Sequence, residues 1–406
     1  MNSCNRRQFI SASLTGLAAA GLPVPFFPTP PEPEESRSAT TEQGIPVRVL
    51  GRTGIEIPVV SMGVMNANNP ALVQKAFDTG IRHFDTAAVY QRGRNEEMVG
   101  TVLRARGVQS DVTVATKVLL PPAQRRSEPD QAAAVFRSSL DGSLKRLRAD
   151  RIDILYLHDV SDPEDLRQAW LRGAMESAKK EGKIRFAGFS THAAMAHCLE
   201  EAIQQPWVDV VLTSFNYAMA DDKRFFAAAR AAAASGIGLI AMKTQCAQYW
   251  YRDELPKDAQ AFYEGTVLGS AVLKWVLRHS FITTAVPGAT AFQHIDDNAS
   301  AARHLEYTDA EKRFLSDRKV RLGLGICRQC RSCVATCPNG ADIPSLMRVH
   351  LYATCYGNLE QAADTLARLP DGRALDRCTA CSTCTAQCIR SIDVARRLSE
   401  LKILFA

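Results

Sequence analysis

Four residues of the chain have the types and the placement needed for proton transfer. Asp85 and Tyr90 are five residues apart, where a short apolar run gives way to a polar turn. Lys117 and His158 each lie near the end of a later apolar run. Taken singly, Asp85 fits a helix cap, Lys117 a surface charge and His158 a buried core histidine. Together, at the ends of consecutive runs, they predict one shared site.

The chemistry that these residues suit is the reduction of a carbonyl group. Hydride addition builds negative charge on the carbonyl oxygen, which then needs a proton donor. We expect Tyr90 to be that donor and the Lys117 ammonium to lower its pKa from about 10. Asp85 would keep Lys117 charged and oriented. His158 would donate a hydrogen bond that orients the substrate oxygen.

A second set of candidates consists of two cysteine runs of identical spacing, C-x2-C-x2-C-x3-C. The first comprises Cys327, Cys330, Cys333 and Cys337, and the second Cys378, Cys381, Cys384 and Cys388. Thiolates at this spacing hold [4Fe–4S] clusters, with three ligands from one run and the fourth from elsewhere. Structural zinc sites use paired C-x2-C knuckles instead. The spacing therefore favours two [4Fe–4S] clusters over zinc.

The doubled run also predicts how the two clusters share their ligands. Cys388 would complete the first cluster, and Cys337 would complete the second. Between the runs, residues 343–369 carry apolar side chains at steps of three and four, which is typical of helices. We therefore predict a small, mainly helical ferredoxin-like domain over residues 319–406.

The elements that position the first site are eight short apolar runs that alternate with helical stretches. The runs are Val59–Val64, Ile81–Asp85, Val112–Val118, Ile152–His158, Ile184–Ser190, Val208–Phe215, Ile237–Lys243 and Thr283–Gly288. This α/β pattern predicts a (β/α)8 TIM barrel over residues 45–318, with its site at the carboxyl ends of the strands. The alternative, an open doubly wound sheet, lacks support because no G-x-G-x-x-G turn follows the first strand.

The run Gly80–Tyr90, together with Lys117 and His158, resembles the aldo/keto reductase family, and the resemblance covers roughly residues 47–305. It implies a nicotinamide-dependent interconversion of a small carbonyl or alcohol substrate, with Tyr90 as general acid and base. The cysteine runs make the chain similar to the subgroup that carries a C-terminal two-cluster domain.

The resemblance also implies which residues contact the nicotinamide cofactor. These are Ser190, Ser214, Lys243, Gly288 and Asn298. His294 stands where the family often has an arginine for the 2′-phosphate, and a neutral histidine binds phosphate less well. The choice between NADP and NAD is therefore open.

The N-terminus resembles an export signal. Arg6 and Arg7 precede a weakly apolar run, so we interpret residues 1–22 as a twin-arginine signal and residues 23–44 as a proline-rich linker. The alternative is a flexible tail with a chance arginine pair. Export would place the protein in the periplasm or cell envelope, with no stable membrane span after removal of the signal. Otherwise the protein is cytoplasmic.

Composition excludes several classes of protein. The 406 residues are 46% hydrophobic, enough for one large domain and a small one. The net charge of +6 is spread without a dense Lys/Arg run, so we expect no nucleic-acid partner. Eight of the 12 cysteines fall in the two runs, unlike a disulfide scaffold.

Two hypotheses of function remain. The first is an aldo/keto reductase-type oxidoreductase fused to an iron–sulfur module. The second is an iron–sulfur electron-transfer protein whose barrel is a scaffold or binds a redox partner. A hydride carries two electrons, whereas each cluster accepts one at a time. The clusters could therefore be structural, or they could serve a redox protein partner.

Overall fold

The computed structural model describes residues 39–245, 267–317, 325–378, 381 and 383–405, which belong to one compact unit. The predicted signal segment and most of the proline-rich linker lie outside these residues, as does the predicted domain boundary at 318. None of the helices within the described ranges is both long and apolar enough to cross a membrane.

The chain begins its regular structure with a hairpin. Strands β1 (Val47–Val49) and β2 (Glu56–Pro58) pair antiparallel. Leu50 in the turn is fully buried and packs with inward-facing strand residues such as Ile154. A Cβ on Gly51 would lie 2.4 Å from the backbone at Gly236, just before the ninth strand begins, so the hairpin covers the amino-terminal end of the strands. The site must therefore open at the opposite end.

Eight parallel strands follow, each hydrogen-bonded to the next in chain order. They are β3 (Met62–Gly63), β4 (His83–Asp85), β5 (Thr113–Val118), β6 (Ile152–Val160), β7 (Ile184–Thr191), β8 (Val210–Ser214), β9 (Gly238–Met242) and β10 (Thr284–Ala285). Parallel bridges from Val60 to Ala285 and from Gly63 to Gly288 join the first of these strands to the last. The predicted (β/α)8 barrel is thus confirmed.

Ten helices surround the strands in the described residues. They are α1 (Pro70–Asp78), α2 (Arg94–Ala105), α3 (Pro122–Arg125), α4 (Pro129–Leu147), α5 (Ala169–Lys180), α6 (Met195–Ala202), α7 (Lys223–Ala234), α8 (Val267–Leu277), α9 (Phe292–Arg303) and α10 (Asp309–Ser316). Side-chain caps fix several starts, including Asn69 before α1, Asp222 before α7 and the Thr308–Glu311 capping box of α10. Apolar helix faces and outward strand residues form the main core.

The C-terminal residues form a second, mainly helical core. Helix α11 (Ile343–His350) runs into a π-helical turn (Leu351–Cys355), and α12 (Leu359–Ala367) and α13 (Val394–Leu404) follow. The helical pattern expected for residues 343–369 is therefore present. This core is built from buried residues such as Leu346, and it includes two cysteines of the runs, Cys333 and Cys378.

The C-terminal helices pack on the barrel through polar contacts. Asn358 donates a hydrogen bond to Asn66 at 2.9 Å. Glu360 pairs with both Arg92 and Arg94 at 3.0 Å. These barrel residues lie in the loop after β3 and the turn after β4, so the helices sit at the carboxyl end of the strands.

Candidate active site

A buried ion pair lies at the ends of β4 and β5. Asp85 ends β4 opposite Ala115, and Lys117 lies two residues further along β5, on the same face. The Lys117 Nζ donates to Asp85 Oδ1 at 2.5 Å and to the Thr86 carbonyl at 2.5 Å. Only 1% of the Lys117 side chain and 5% of the Asp85 side chain are exposed. The expected pairing of Lys117 with Asp85 is present.

Tyr90 and His158 complete the predicted group of four. The two rings meet edge to face, with centroids 6.0 Å apart. Lys117 Nζ lies 4.9 Å from the centroid of the Tyr90 ring. His158 is buried in β6, and burial, reinforced by the Lys117 charge, lowers its pKa well below the usual value. His158 is therefore neutral and can donate one hydrogen bond.

The pKa of Tyr90 differs from expectation. Burial raises it well above 10, and the carboxylate of Asp85 raises it further. The net shift is opposite to the predicted lowering, because burial and the Asp85 charge outweigh the effect of a Lys117 cation that Asp85 already engages. Burial likewise raises the pKa of Asp85 and lowers that of Lys117, while each partner's charge acts in the opposite direction. Tyr90 therefore stays protonated at neutral pH.

A cavity of about 350 Å³ opens at this end of the barrel. Asp85 and Tyr90 line it, whereas Lys117 lies behind Asp85 and His158 behind the Tyr90 ring. Its far wall comes from the segment after β10, and another wall comes from the C-terminal tyrosines Tyr352 and Tyr356. A cavity of this size suits a small ligand or part of a nucleotide.

Comparison with known proteins agrees with this geometry. The model of the Aldo/keto reductase family matches residues 63–314. L-galactose dehydrogenase of Arabidopsis thaliana is 27% identical over 301 residues, which cover 67% of this chain and 93% of that protein. D-threo-aldose 1-dehydrogenase of a Pseudomonas species is 28% identical over 218 residues, 46% of this chain and 66% of that protein.

A solved structure shows the same fold. The crystal structure of an aldo-keto reductase from Klebsiella pneumoniae in complex with NADPH superposes with a TM-score of 0.52 at 22% identity. The match covers 67% of this chain and 97% of that one. The chain belongs to the aldo/keto reductase family. It is accordingly an oxidoreductase of aldo/keto reductase type. The matched residues end before both cysteine runs.

The predicted cofactor contacts of this aldo/keto reductase divide into two groups. Lys243, Gly288 and Asn298 line the main cavity. Ser190 is not among the described residues that line this cavity. Its Oγ instead accepts a hydrogen bond from the Asp159 N–H at 3.0 Å. Ser214 lines a second cavity of about 20 Å³ instead. The assignment of all five residues to a cofactor stays a prediction.

The smaller cavity adjoins the first cysteine run. Its walls include His192 and Lys243, which also line the main cavity, and Cys327. His192 is buried, and its Nδ1 lies 3.3 Å from Ser214 Oγ. The sequence analysis missed His192, although its position directly after β7 follows the same strand-end rule that selected Lys117. Cys327 of the first run and residues of the main cavity thus line the same small cavity.

An ion pair from the C-terminal helices reaches the residue after His158. Arg348 on α11 binds both carboxylate oxygens of Asp159, at 2.8 and 3.0 Å. Asp159 has φ of +59°, a backbone conformation that costs a non-glycine residue about 1 kcal/mol. Burial alone would raise the Asp159 pKa, but the Arg348 guanidinium holds it far below its usual range. The carboxylate is therefore ionised throughout the neutral range.

The first cysteine run is close to the last cysteine of the second. Burial raises the pKa of the Cys327 thiol to about 12; a backbone hydrogen bond from Gln329 opposes the rise, and the thiols of Cys333, Cys388 and Cys330 add to it. The four thiols therefore lie within electrostatic range of one another.

The second run is close to the last cysteine of the first. Asn339, two residues after Cys337, donates to Cys381 Sγ at 3.0 Å. Burial raises the Cys378 pKa, the Lys402 ammonium opposes the rise, and the Cys337 thiol adds to it. Cys378 therefore lies within electrostatic range of Cys337, Cys384 and Cys381.

The residues that flank the last cysteine of each run are also hydrogen-bonded across the runs. The Gln387 N–H, next to Cys388, donates to the hydroxyl of Thr336, next to Cys337, at 2.9 Å. Within the described ranges, no group of three or more His, Cys, Asp or Glu side chains is arranged to hold a metal ion. The cluster ligands stay predictions.

Removal of the Arg348 guanidinium tests the link between the two parts of the chain. We expect Arg348→Met to lower the free energy of unfolding by about 2 kcal/mol, since it leaves Asp159 ionised without its partner. This is less than the roughly 3–5 kcal/mol of a fully buried pair, because 30% of the Asp159 side chain is exposed. Denaturant titration measures the change.

The matched control is Arg172→Met, which removes an exposed pair with Glu176 on α5. That change should cost at most about 0.5 kcal/mol. An equal loss of stability in both variants would contradict a structural role for the Arg348–Asp159 pair.

Proposed function

We propose that this oxidoreductase interconverts small carbonyls and alcohols with a nicotinamide cofactor, and that it carries two [4Fe–4S] clusters. One observation carries the catalytic part: Tyr90 lines a cavity at the carboxyl end of the barrel. The neutral His158 ring meets the Tyr90 ring edge to face, and Lys117, paired with Asp85, lies 4.9 Å from the centroid of the Tyr90 ring. These are the groups needed to protonate a developing alkoxide.

The cavity has features that fit a nicotinamide nucleotide. Gly288, Thr290 and Asn298 supply a lining of small and polar groups from the segment after β10. His294 also lines the cavity, and its Nδ1 accepts the Thr290 N–H at 3.3 Å, so Nδ1 carries no proton. No arginine of the described residues lines this cavity, so NADP and NAD are both candidates. When bound, the reduced nicotinamide would supply the hydride.

The chain's own residues would manage the proton. Tyr90, protonated because burial raises its pKa, would donate from its hydroxyl to the substrate oxygen. The phenolate left behind would be stabilised by the Lys117 ammonium, which lies 4.9 Å from the ring centroid. His158 would hold the substrate oxygen by a hydrogen bond. In the direction of alcohol oxidation the same groups would act in reverse.

The iron–sulfur part of the proposal rests on spacing and on the crossed arrangement. Each thiolate of a [4Fe–4S] cluster binds a different iron atom, so its four ligands stand farther apart than those of one metal ion. Backbone N–H groups of Gln329 and Arg390 donate to Cys327 Sγ and Cys388 Sγ, both at 3.4 Å. Such donors stabilise thiolate ligands and tune clusters.

The position of Cys327 bears on what the clusters do. It shares the small cavity with His192 and Lys243, which also line the main cavity. A cluster there would lie beside the active site, which favours a redox role over a purely structural one. The alternative, an electron-transfer protein with a scaffold barrel, predicts redox-active clusters in a protein that binds no nicotinamide.

We also propose export by the twin-arginine route to the periplasm or cell envelope, on the strength of Arg6 and Arg7. That route accepts folded proteins, which suits a chain that acquires clusters before export. Cell fractionation of an Arg6→Lys, Arg7→Lys variant decides the question, since an unchanged periplasmic fraction would contradict the proposal.

Loss of the Tyr90 hydroxyl tests the catalytic proposal. We expect Tyr90→Phe to lower kcat for reduction of 4-nitrobenzaldehyde by at least about 100-fold, because no proton reaches the oxygen. Binding of NADPH, followed by its fluorescence, should stay within about twofold if only the proton donor is lost. Near-normal turnover would refute Tyr90 as the acid, and a wild-type protein that binds neither NADPH nor NADH would favour the electron-transfer alternative.

Replacement of the last cysteine tests the crossed ligands. In anaerobically purified Cys388→Ser, we expect about four iron atoms per chain instead of about eight. Alkylation followed by mass spectrometry should find the first three cysteines of the first run reactive and those of the second protected. Cys198→Ser, which alters a buried cysteine outside the runs, is the control. Reactivity confined to the second run would show that each cluster takes all its ligands from one run.

A further inference from the structure

We propose that Lys243 and Tyr352 form an anion-binding subsite of the barrel cavity, which takes the carboxylate or phosphate of an acidic carbonyl substrate. This inference rests on the proposed function and names its substrate class. It also makes the C-terminal helices part of the active site, since Tyr352 lies on the turn after α11.

The position of Lys243 supports the subsite. The residue directly follows β9 and lines both the main and the small cavity. Its Nζ donates to the Tyr352 hydroxyl at 3.1 Å. No carboxylate in the described residues forms an ion pair with it. An ammonium has three donors, so at least two remain available to a ligand.

Tyr352 holds the Lys243 ammonium in place, since the Nζ also lies 4.9 Å from the centroid of the Tyr352 ring. Its side chain is only 5% exposed, and its ring stacks on Tyr356 with centroids 5.8 Å apart. The residue sits on the π-helical turn, a rare local structure that occurs frequently at functional sites. A rigid phenol that accepts from Lys243 also leaves its own O–H to donate to a ligand oxygen.

The other charges near the site leave it with a positive excess. Lys117 is neutralised by Asp85, and Arg348 by Asp159. Lys243 adds a cation that pairs with no carboxylate of the described residues. A concave site with one uncompensated cation attracts anionic ligands and disfavours cationic ones.

Two further groups bear on this balance. Arg368 acts on the active site, since its charge lowers the pKa values of Tyr90 and His158, and no ion pair engages it within the described ranges. Asp297 also lines the cavity, but it forms no ion pair with Lys243. Lys243 and Arg368 are therefore the two cations near the cavity that form no ion pair within the described ranges.

The anionic oxygens could come from the cofactor's phosphates or from the substrate. Position distinguishes them, because Lys243 and Tyr352 line the same cavity as the proton donor Tyr90. A subsite next to the proton donor fits an acid group on the substrate itself. We therefore assign it to the substrate, in place of the cofactor contact that the family resemblance implies for Lys243.

A matched pair of aldehydes tests the assignment on the full-length protein with saturating NADPH. We expect the wild type to prefer 4-carboxybenzaldehyde over 4-nitrobenzaldehyde in kcat/KM. Lys243→Met should lower kcat/KM for the carboxylate by about 10- to 100-fold more than for the neutral aldehyde, because the usual worth of a charge-assisted hydrogen bond is lost only with the charged substrate. Tyr352→Phe should shift the preference in the same direction by a smaller factor. Lys312→Met, at an exposed lysine of α10, is the control.

Two binding measurements separate the possible outcomes. NADPH fluorescence titration should give the same Kd for the wild type and Lys243→Met. Calorimetric titration of the nucleotide-free protein should show benzoate binding in the wild type and its loss in Lys243→Met. Weaker NADPH binding with equal losses for both aldehydes would assign Lys243 to the cofactor and overturn the inference, as would unchanged selectivity. Lys243-dependent benzoate binding without NADPH-dependent turnover would uphold the subsite and refute the proposed function.

Discussion

The buried ion pair between Lys117 and Asp85 sets the arrangement of the active site. Each charge alone would be costly at this depth, so each requires the other, and the Thr86 carbonyl satisfies a further Lys117 donor. The pair exists because β4 and β5 are neighbours in register, which places Lys117 two residues beyond the partner of Asp85. It fixes a cation behind the Tyr90 ring, where a phenolate would form. Stability and the proposed catalysis would thus depend on the same contact.

The barrel and the group of four could be predicted because both are written in local patterns. Each strand is a short apolar run, and a parallel barrel brings all carboxyl ends to one edge, so Asp85, Tyr90, Lys117 and His158 had to converge. The direction of the Tyr90 pKa shift could not be predicted. It depends on how deeply the phenol is buried, and burial arises from packing that no local pattern records.

The contribution of the C-terminal helices to the cavity could not be predicted from the sequence, for another reason. Arg348 meets Asp159 across 189 residues, and Tyr352 meets Lys243 across 109. Helical periodicity identifies apolar faces, whereas these residues act through polar atoms directed at another domain. The crossed cysteine sets could be anticipated because spacing within a run carries the geometry. Their attachment to the barrel could not be predicted. It consists of ion pairs that Arg328 and Arg390 form with Asp221.

The cysteines of the predicted clusters and the tyrosine wall of the cavity belong to one core of the C-terminal helices. Cys333 and Cys378 of the predicted cluster sets pack in the same buried group as Tyr352 and Leu351. A core of this size has few alternative packings, so a shift at the cysteines would displace the tyrosine wall of the cavity. The Arg348–Asp159 pair then joins that core to the strand end that carries His158. The core that contains cysteines of both runs therefore also supplies Tyr352 to the cavity that Tyr90 lines.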